Sequence, residues 1–131
     1  MKHWSFIAAS VLAGIGGFAS AADYDGSKAL LCATTQAVDC GPDSAACLRG
    51  TPNEIGVPSF LRIDFKGKRI VGPARVTPIV RMEKSASQIL LQGSELDFGW
   101  TLALDIASGR MTSTLVDRNG IIAMFGSCTL P

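Results

Sequence analysis

The sequence predicts a mainly-β fold: a small antiparallel meander closing into a barrel or sandwich of about seven to eight strands, stapled by disulfides. Three observations predict it. Beyond Pro58, apolar and polar residues alternate with the period of two that marks half-buried strands. Turn signals rich in Gly, Asn, Asp and Ser interrupt that alternation repeatedly. Four cysteines, Cys32, Cys40, Cys47 and Cys128, lie downstream of an apolar leader, and this points to an oxidising compartment where a small domain can be cross-linked.

Residues 1–21 read as a secretory signal peptide. Lys2 and His3 give a short positive start, Ser5 to Phe18 an apolar stretch, and Ala19-Ser20-Ala21 the small residues that suit cleavage after Ala21. Cleavage after Ala22 is nearly as good. The apolar run is broken by Gly14, Gly16 and Gly17 and has no charge on its far side, so it is a poor membrane anchor. Leu31, directly before Cys32, is too large for lipoprotein processing. A periplasmic or secreted bacterial protein with no integral membrane segment after cleavage is therefore expected.

The 131 residues contain 12 Lys+Arg and 11 Asp+Glu; the leader holds only Lys2, which leaves 11 of each. A charge near zero gives no steering toward nucleic acid or anionic lipid. The single histidine, His3, also lies in the leader. Without it the mature chain can run neither a Ser-His-Asp nor a Cys-His mechanism, and it cannot build a histidine zinc site.

Residues 22–131 read as one disulfide-stabilised β domain. Asp23 to Lys28 is polar and is expected to be mobile, and Ala29 to Thr35 fits either a strand or a helical turn. Residues 22–59 as a whole read as an irregular Cys-rich part, since Gly41, Pro42, Gly50, Pro52, Gly56 and Pro58 punctuate it. Residues 60–128 form the strand meander. A turn at Lys66-Gly67 pairs Ile63 with Ile70 and Asp64 with Arg69. A loop at Lys84 to Ser87 pairs Met82 with Ile89 and Val80 with Leu91. A loop at Ser94 to Asp97 pairs Leu91 with Trp100. The Ala107 to Arg110 turn pairs Leu102 with Leu115, and Asn119-Gly120 pairs Leu115 with Met124. These registers gather Val80, Met82, Ile89, Leu91, Trp100, Leu102, Leu104, Ile106, Met111, Leu115, Ile122 and Met124 on one face, and a one-residue slip would invert any strand. Leu90 and Phe125 are the apolar exceptions on the other face.

Four cysteines allow three pairings. The preferred set joins Cys40 to Cys47 within a Gly/Pro-rich loop and Cys32 to Cys128 across the ends of the fold. The loop-entropy model gives them roughly 2.5 and roughly 4 to 5 kcal/mol. The competing set is Cys32–Cys40 with Cys47–Cys128. Both sets are structural staples, because no pair has the close spacing of a redox dithiol.

No catalytic residue, metal site or cofactor is expected. Asp23-Tyr24-Asp25-Gly26 lacks the spacing of a calcium loop, Gly67-Lys68 lacks the framework of a phosphate loop, and the carboxylates Asp64, Glu83, Glu95, Asp97, Asp105 and Asp117 mostly fall on the outer face or in turns. Lys66, Lys68, Arg69 and Arg75 read as solvated hairpin ends. Trp100 has two readings: a core anchor, which is favoured, or the floor of a ligand pocket with Phe98, Leu102 and Met111. A chain this short usually fills its interior with side chains.

Several stretches resemble a family of small exported proteobacterial proteins that is itself uncharacterised. They are Ala29 to Ala33, Val57 to Phe65, Leu90 to Gly93, Gly99-Trp100, Ser108 to Met111 and the C-terminal Phe125-Gly126-Ser127-Cys128 segment. The resemblance covers nearly all of the mature chain; it implies export and a shared fold and transfers no catalytic residue. A weaker similarity, to small β-barrel lysozyme inhibitors that present a Ser-Gly turn, makes Ser108, Gly109 and Arg110 candidate binding residues beside Trp100. In that comparison Trp100 precedes the turn instead of following it, and a later Lys-Gly segment is missing.

The functional expectation is a non-enzymatic binding or accessory protein of the cell envelope, with an envelope protein as partner and no nucleic acid. The alternatives are a small-ligand carrier or lysozyme-inhibitor-like barrel, and then a carboxylate-based envelope enzyme.

Overall fold

The computed structural model describes residues 21–43 and 45–131; the leader reading therefore lies outside the described residues, Ala21 apart. A 3-10 turn, Ala21–Tyr24, precedes β1 (Leu30–Cys40), β2 (Leu48–Gly50), α1 (Pro52–Ile55), β3 (Phe60–Asp64) and β4 (Arg69–Val71). Then come β5 (Val76–Pro78), β6 (Arg81–Lys84), β7 (Gln88–Glu95), β8 (Phe98–Asp105), β9 (Arg110–Asp117) and β10 (Gly120–Thr129). The ten strands of the described residues join one antiparallel sheet in the order β5-β4-β3-β1-β10-β9-β8-β7-β6, with β2 also on β1. The sheet curls into a half-barrel. The count exceeds the expected seven to eight because β2, β4 and β5 are three-residue ribbons. No helix among the described residues is long and apolar enough to cross a membrane.

The part read as irregular supplies the middle of this sheet. β1 pairs with β10 along one edge and with β3 and then β2 along the other. Its pattern escapes a simple reading because a bulge between Thr34 and Gln36 resets the alternation. Leu30, Cys32 and Thr34 face inward before the bulge, and Ala37 does so after it. The loop-like stretch beyond also hides α1, whose Thr51 and Glu54 form a reciprocal capping box, with Pro52 opening the helix and Gly56 ending it in the left-handed region.

Both disulfides follow the preferred pairing, Cys32–Cys128 and Cys40–Cys47. Cys32 and Cys128 stand directly opposite each other on β1 and β10, both buried.

In the meander, Ile63 pairs with Ile70 and Asp64 with Arg69, as the turn chemistry predicts. The later registers differ from expectation by two residues. Met82 meets Leu91, Trp100 meets Gly93, Leu102 meets Ser113, and Leu115 meets Ile122. Each turn is centred one residue from its expected place, as in the two-residue Leu96-Asp97 turn that joins Glu95 to Phe98. Such a shift exchanges one same-face partner for the next, so the inner face survives. Two of its expected members do not lie on it. Val80 and Met82 are 73% and 52% exposed: Val80 lies in the link between β5 and β6, and β6 is an edge strand whose four residues are all exposed.

The two borders of the sheet meet through one bent ribbon, residues 76–84. Its first half pairs with β4, Ile70 opposite Thr77, and the Ile79 N–H still donates to the Lys68 carbonyl at 2.8 Å. The Val80 N–H then turns to the Gln92 carbonyl at 2.9 Å, and β6 continues along β7. Pro78, with no N–H to place in a ladder, sits at the bend.

Candidate ligand cavity

One end of the half-barrel is stoppered by its own N-terminal segment. Asp23 to Lys28, expected to be mobile, contacts the sheet at several points. Tyr24 packs on the main core, the Lys84 ammonium donates to the Asp25 carbonyl at 2.7 Å, and Lys28 pairs with Asp23 at 3.0 Å. The chain crosses so low at Gly26 that a Cβ there would lie 3.1 Å from Ile89 and 3.8 Å from the Phe65 ring. These contacts are possible because the polar residues satisfy one another at the surface while Tyr24 alone carries apolar area inward.

Above the stopper, the interior can be followed row by row across the sheet. Leu104 and Met111 stand opposite each other and are buried together with Ile89, Leu30 and Ile63, so this half is filled. The next row, Leu102, Ser113 and Met124, and the last, Trp100, Leu115 and Ile122, line an open space instead. The cavity there measures about 440 Å³. Leu61 and Ile70 form its opposite wall, and its mouth is bounded by Gly56 to Pro58, the Gly72 to Arg75 turn, Glu95 and Phe98. The expectation of an interior filled throughout is thus corrected: only the stoppered half is full. The reason is chemical, since in the row above Met111 the sequence places the small Ser113 between Leu102 and Met124.

Trp100 anchors the mouth end and is 6% exposed. Its indole lies over Gly93, its cross-strand partner; a Cβ on Gly93 would run into the Trp100 ring and lie 2.6 Å from the Pro78 carbonyl oxygen. The buried polar side chains Trp100, Thr77 and Ser113 at this end have protein partners. Trp100 Nε1 donates to Thr77 Oγ1 at 3.2 Å, Thr77 Oγ1 donates to the Ser94 carbonyl at 3.4 Å, and Ser113 Oγ donates to the Thr101 carbonyl at 3.0 Å. Arg75 and Glu95 are the charged residues that line the space. A surface of this kind offers apolar contact inside and charge only at the rim.

Comparison of the chain with protein-family models, with curated proteins and with solved structures returns no match.

The candidate binding residues are divided by this geometry. Trp100 lines the cavity together with Phe98 and Leu102, as its pocket reading implies, whereas Met111 belongs to the filled half. Ser108, Gly109 and Arg110 lie beyond the other end of β8, five residues and more from Trp100, a rise of roughly 17 Å. They form a rigid turn. Asp105 accepts from the Ser108 N–H at 2.8 Å, the Cys128 N–H donates to the Gly109 carbonyl at 2.7 Å, and Tyr24 presses on Gly109, whose φ of +73° suits glycine. The Ser108 N–H also holds the Asp105 carboxyl below the ordinary aspartate range.

Thr77, Arg75, Glu95, Leu115 and Ser113 complete the cavity, and sequence reasoning did not single them out as a site. A signal existed for α1, which carries the Gly56 to Pro58 border: Thr51-Pro52-Asn53-Glu54 is a helix-start pattern. Nothing in the alternation marks Ser113 as facing a void.

Proposed function

We propose that this chain is a non-enzymatic binding protein of the cell envelope that holds a small apolar ligand in the open end of its half-barrel. The observation that carries the reading is the cavity beside Trp100, about 440 Å³ and bounded mainly by apolar side chains. That size falls within the usual range of small-molecule sites. Among the described residues, Glu95 is the one carboxylate that lines the cavity, and acid–base chemistry of the glycosidase kind needs a convergent pair. The two disulfides are consistent with an oxidising, extracytoplasmic compartment. Export through the leader, as the family resemblance implies, would put the binding site in the periplasm or outside the cell.

The test is titration of the mature protein with N-phenyl-1-naphthylamine, a neutral dye that brightens in apolar surroundings. We expect saturable enhancement, lost in Leu115→Trp and Ile122→Trp, which fill the space, while both variants keep a cooperative melt. Absence of enhancement with the unsubstituted protein, or enhancement that survives both fillings, would sink the carrier reading.

A second reading is favoured by the Cys40–Cys47 loop, which its own disulfide braces beside Leu48, 68% exposed. Loops held on a rigid scaffold are common contact sites for partner proteins. A pull-down from the envelope fraction, with the residues between Cys40 and Cys47 replaced by Gly-Ser, tests it. A partner recovered equally by both forms would refute this use of the loop.

A further inference from the structure

We infer that the ligand is a monomeric single-chain amphiphile with a dipolar head, one that carries a negative and a positive group together. Arg75 and Glu95 would read that head at the mouth. The inference rests on the cavity reading above and specifies what the cavity selects.

The interior sets the body of the ligand. Trp100, Thr77 and Ser113 direct their hydrogen-bond donors to protein acceptors, so a carbonyl or anionic oxygen placed beside them would find no free donor there and would be desolvated without return. Leu61, Ile70, Leu102, Leu115 and Ile122 offer only contact with hydrocarbon or aromatic surface. The stopper at Tyr24 closes the far end, so the body enters through the mouth and ends inside. The enclosed space is that of one modest chain.

The rim sets the head. Arg75, on the turn between β4 and β5, and Glu95, at the end of β7, both line the cavity, and neither forms an ion pair among the described residues. An anionic head that meets Arg75 is opposed by Glu95, and a cationic head that meets Glu95 is opposed by Arg75. A head with both signs satisfies both side chains, and it discriminates against amphiphiles of either single charge.

The experiment is displacement of N-phenyl-1-naphthylamine by three matched dodecyl compounds, each below its critical micelle concentration: N-dodecyl-N,N-dimethylglycine, dodecanoate and dodecyltrimethylammonium. The zwitterion should displace the dye at about fivefold lower concentration than either singly charged compound, the scale of one exposed ion pair. Glu95→Gln should raise dodecanoate to the level of the zwitterion, and Arg75→Gln should do so for the cation. Displacement is read as the ratio of the three heads within each variant, so any change in dye affinity cancels. Equal displacement by all three heads, or a ranking that both substitutions leave unmoved, overturns the head-group inference while dye binding keeps the cavity reading intact. Failure of the dye itself to bind removes both. Capture of the zwitterion only from vesicles, with no response to monomer, also overturns it.

Discussion

The indole N–H of Trp100 donates to the Thr77 hydroxyl at 3.2 Å and thereby ties β8 to the far border of the same sheet. Thr77→Val keeps the shape and removes the acceptor, which leaves a buried N–H without a partner. Thermal or urea unfolding should show a loss of about 1–3 kcal/mol. An unchanged midpoint would mean that the contact contributes nothing to closure.

The same substitution should have the opposite sign at Thr34. Its hydroxyl oxygen is buried beside the β1 bulge and has no hydrogen-bond partner among the described residues. Thr34→Val should therefore raise stability by about 1 kcal/mol, measured in the same unfolding assay. A loss instead would show that the hydroxyl is satisfied in solution.

Gly93 and Gly99 face each other's neighbourhood on β7 and β8 but differ in the space above them. A Cβ on Gly93 meets the Trp100 ring and the Pro78 backbone, whereas one on Gly99 meets nothing within 4 Å. Gly93→Ala should cost about 2–3 kcal/mol and shift the tryptophan emission. Gly99→Ala should stay within about 0.5 kcal/mol. Equal effects would contradict the placement of the indole.

The two disulfides close loops of very different length, with sequence separations of 96 and 7. In the loop-entropy model, removal of Cys32–Cys128 by paired alanine substitution should cost about 4–5 kcal/mol, and removal of Cys40–Cys47 about 2–2.5 kcal/mol. Denaturant titration of the two double variants measures the difference. A costlier loss at Cys40–Cys47 would show that this loop supports more of the fold than its length implies.

Four carboxylates are held below their ordinary range by hydrogen bonds in turns and caps: Asp25 chiefly by the Ser27 hydroxyl, Asp64 by the Gly67 N–H, Asp105 by the Ser108 N–H and Glu54 by the Thr51 N–H. Because their folded values lie below their unfolded ones, the unfolded chain takes up protons first as pH falls. Their contribution is complete above about pH 4–5 and is lost as acidity passes through the lower, folded values. Urea midpoints should be level from pH 7 to 5 and fall toward pH 3. Asp64→Asn with Asp105→Asn should flatten that fall, and an equally steep fall in the double variant would refute the assignment.

Much of this architecture was legible in the chain because alternation fixes which side of a strand faces inward. Ile89, Leu91, Trp100, Leu102, Leu104, Met111 and Met124 are all buried as their parity requires. Parity does not say which of two same-side residues stands opposite, and so the hairpins after β6 were displaced by two positions. It also fails across a bulge, and β1 went unrecognised as the central strand for that reason. The pocket reading of Trp100 was available from its residue type alone. The cavity walls were not, because Thr77, Leu61 and Ile70 reach Trp100 only through the curl of the sheet, and no local pattern records that curvature.

The bent ribbon from Val76 to Lys84 belongs to both margins of the sheet at once. The margins are therefore not free to drift apart independently: spreading them strains the corner at Pro78. Tolerance for larger guests should accordingly be governed by stiffness at that hinge more than by the lining itself.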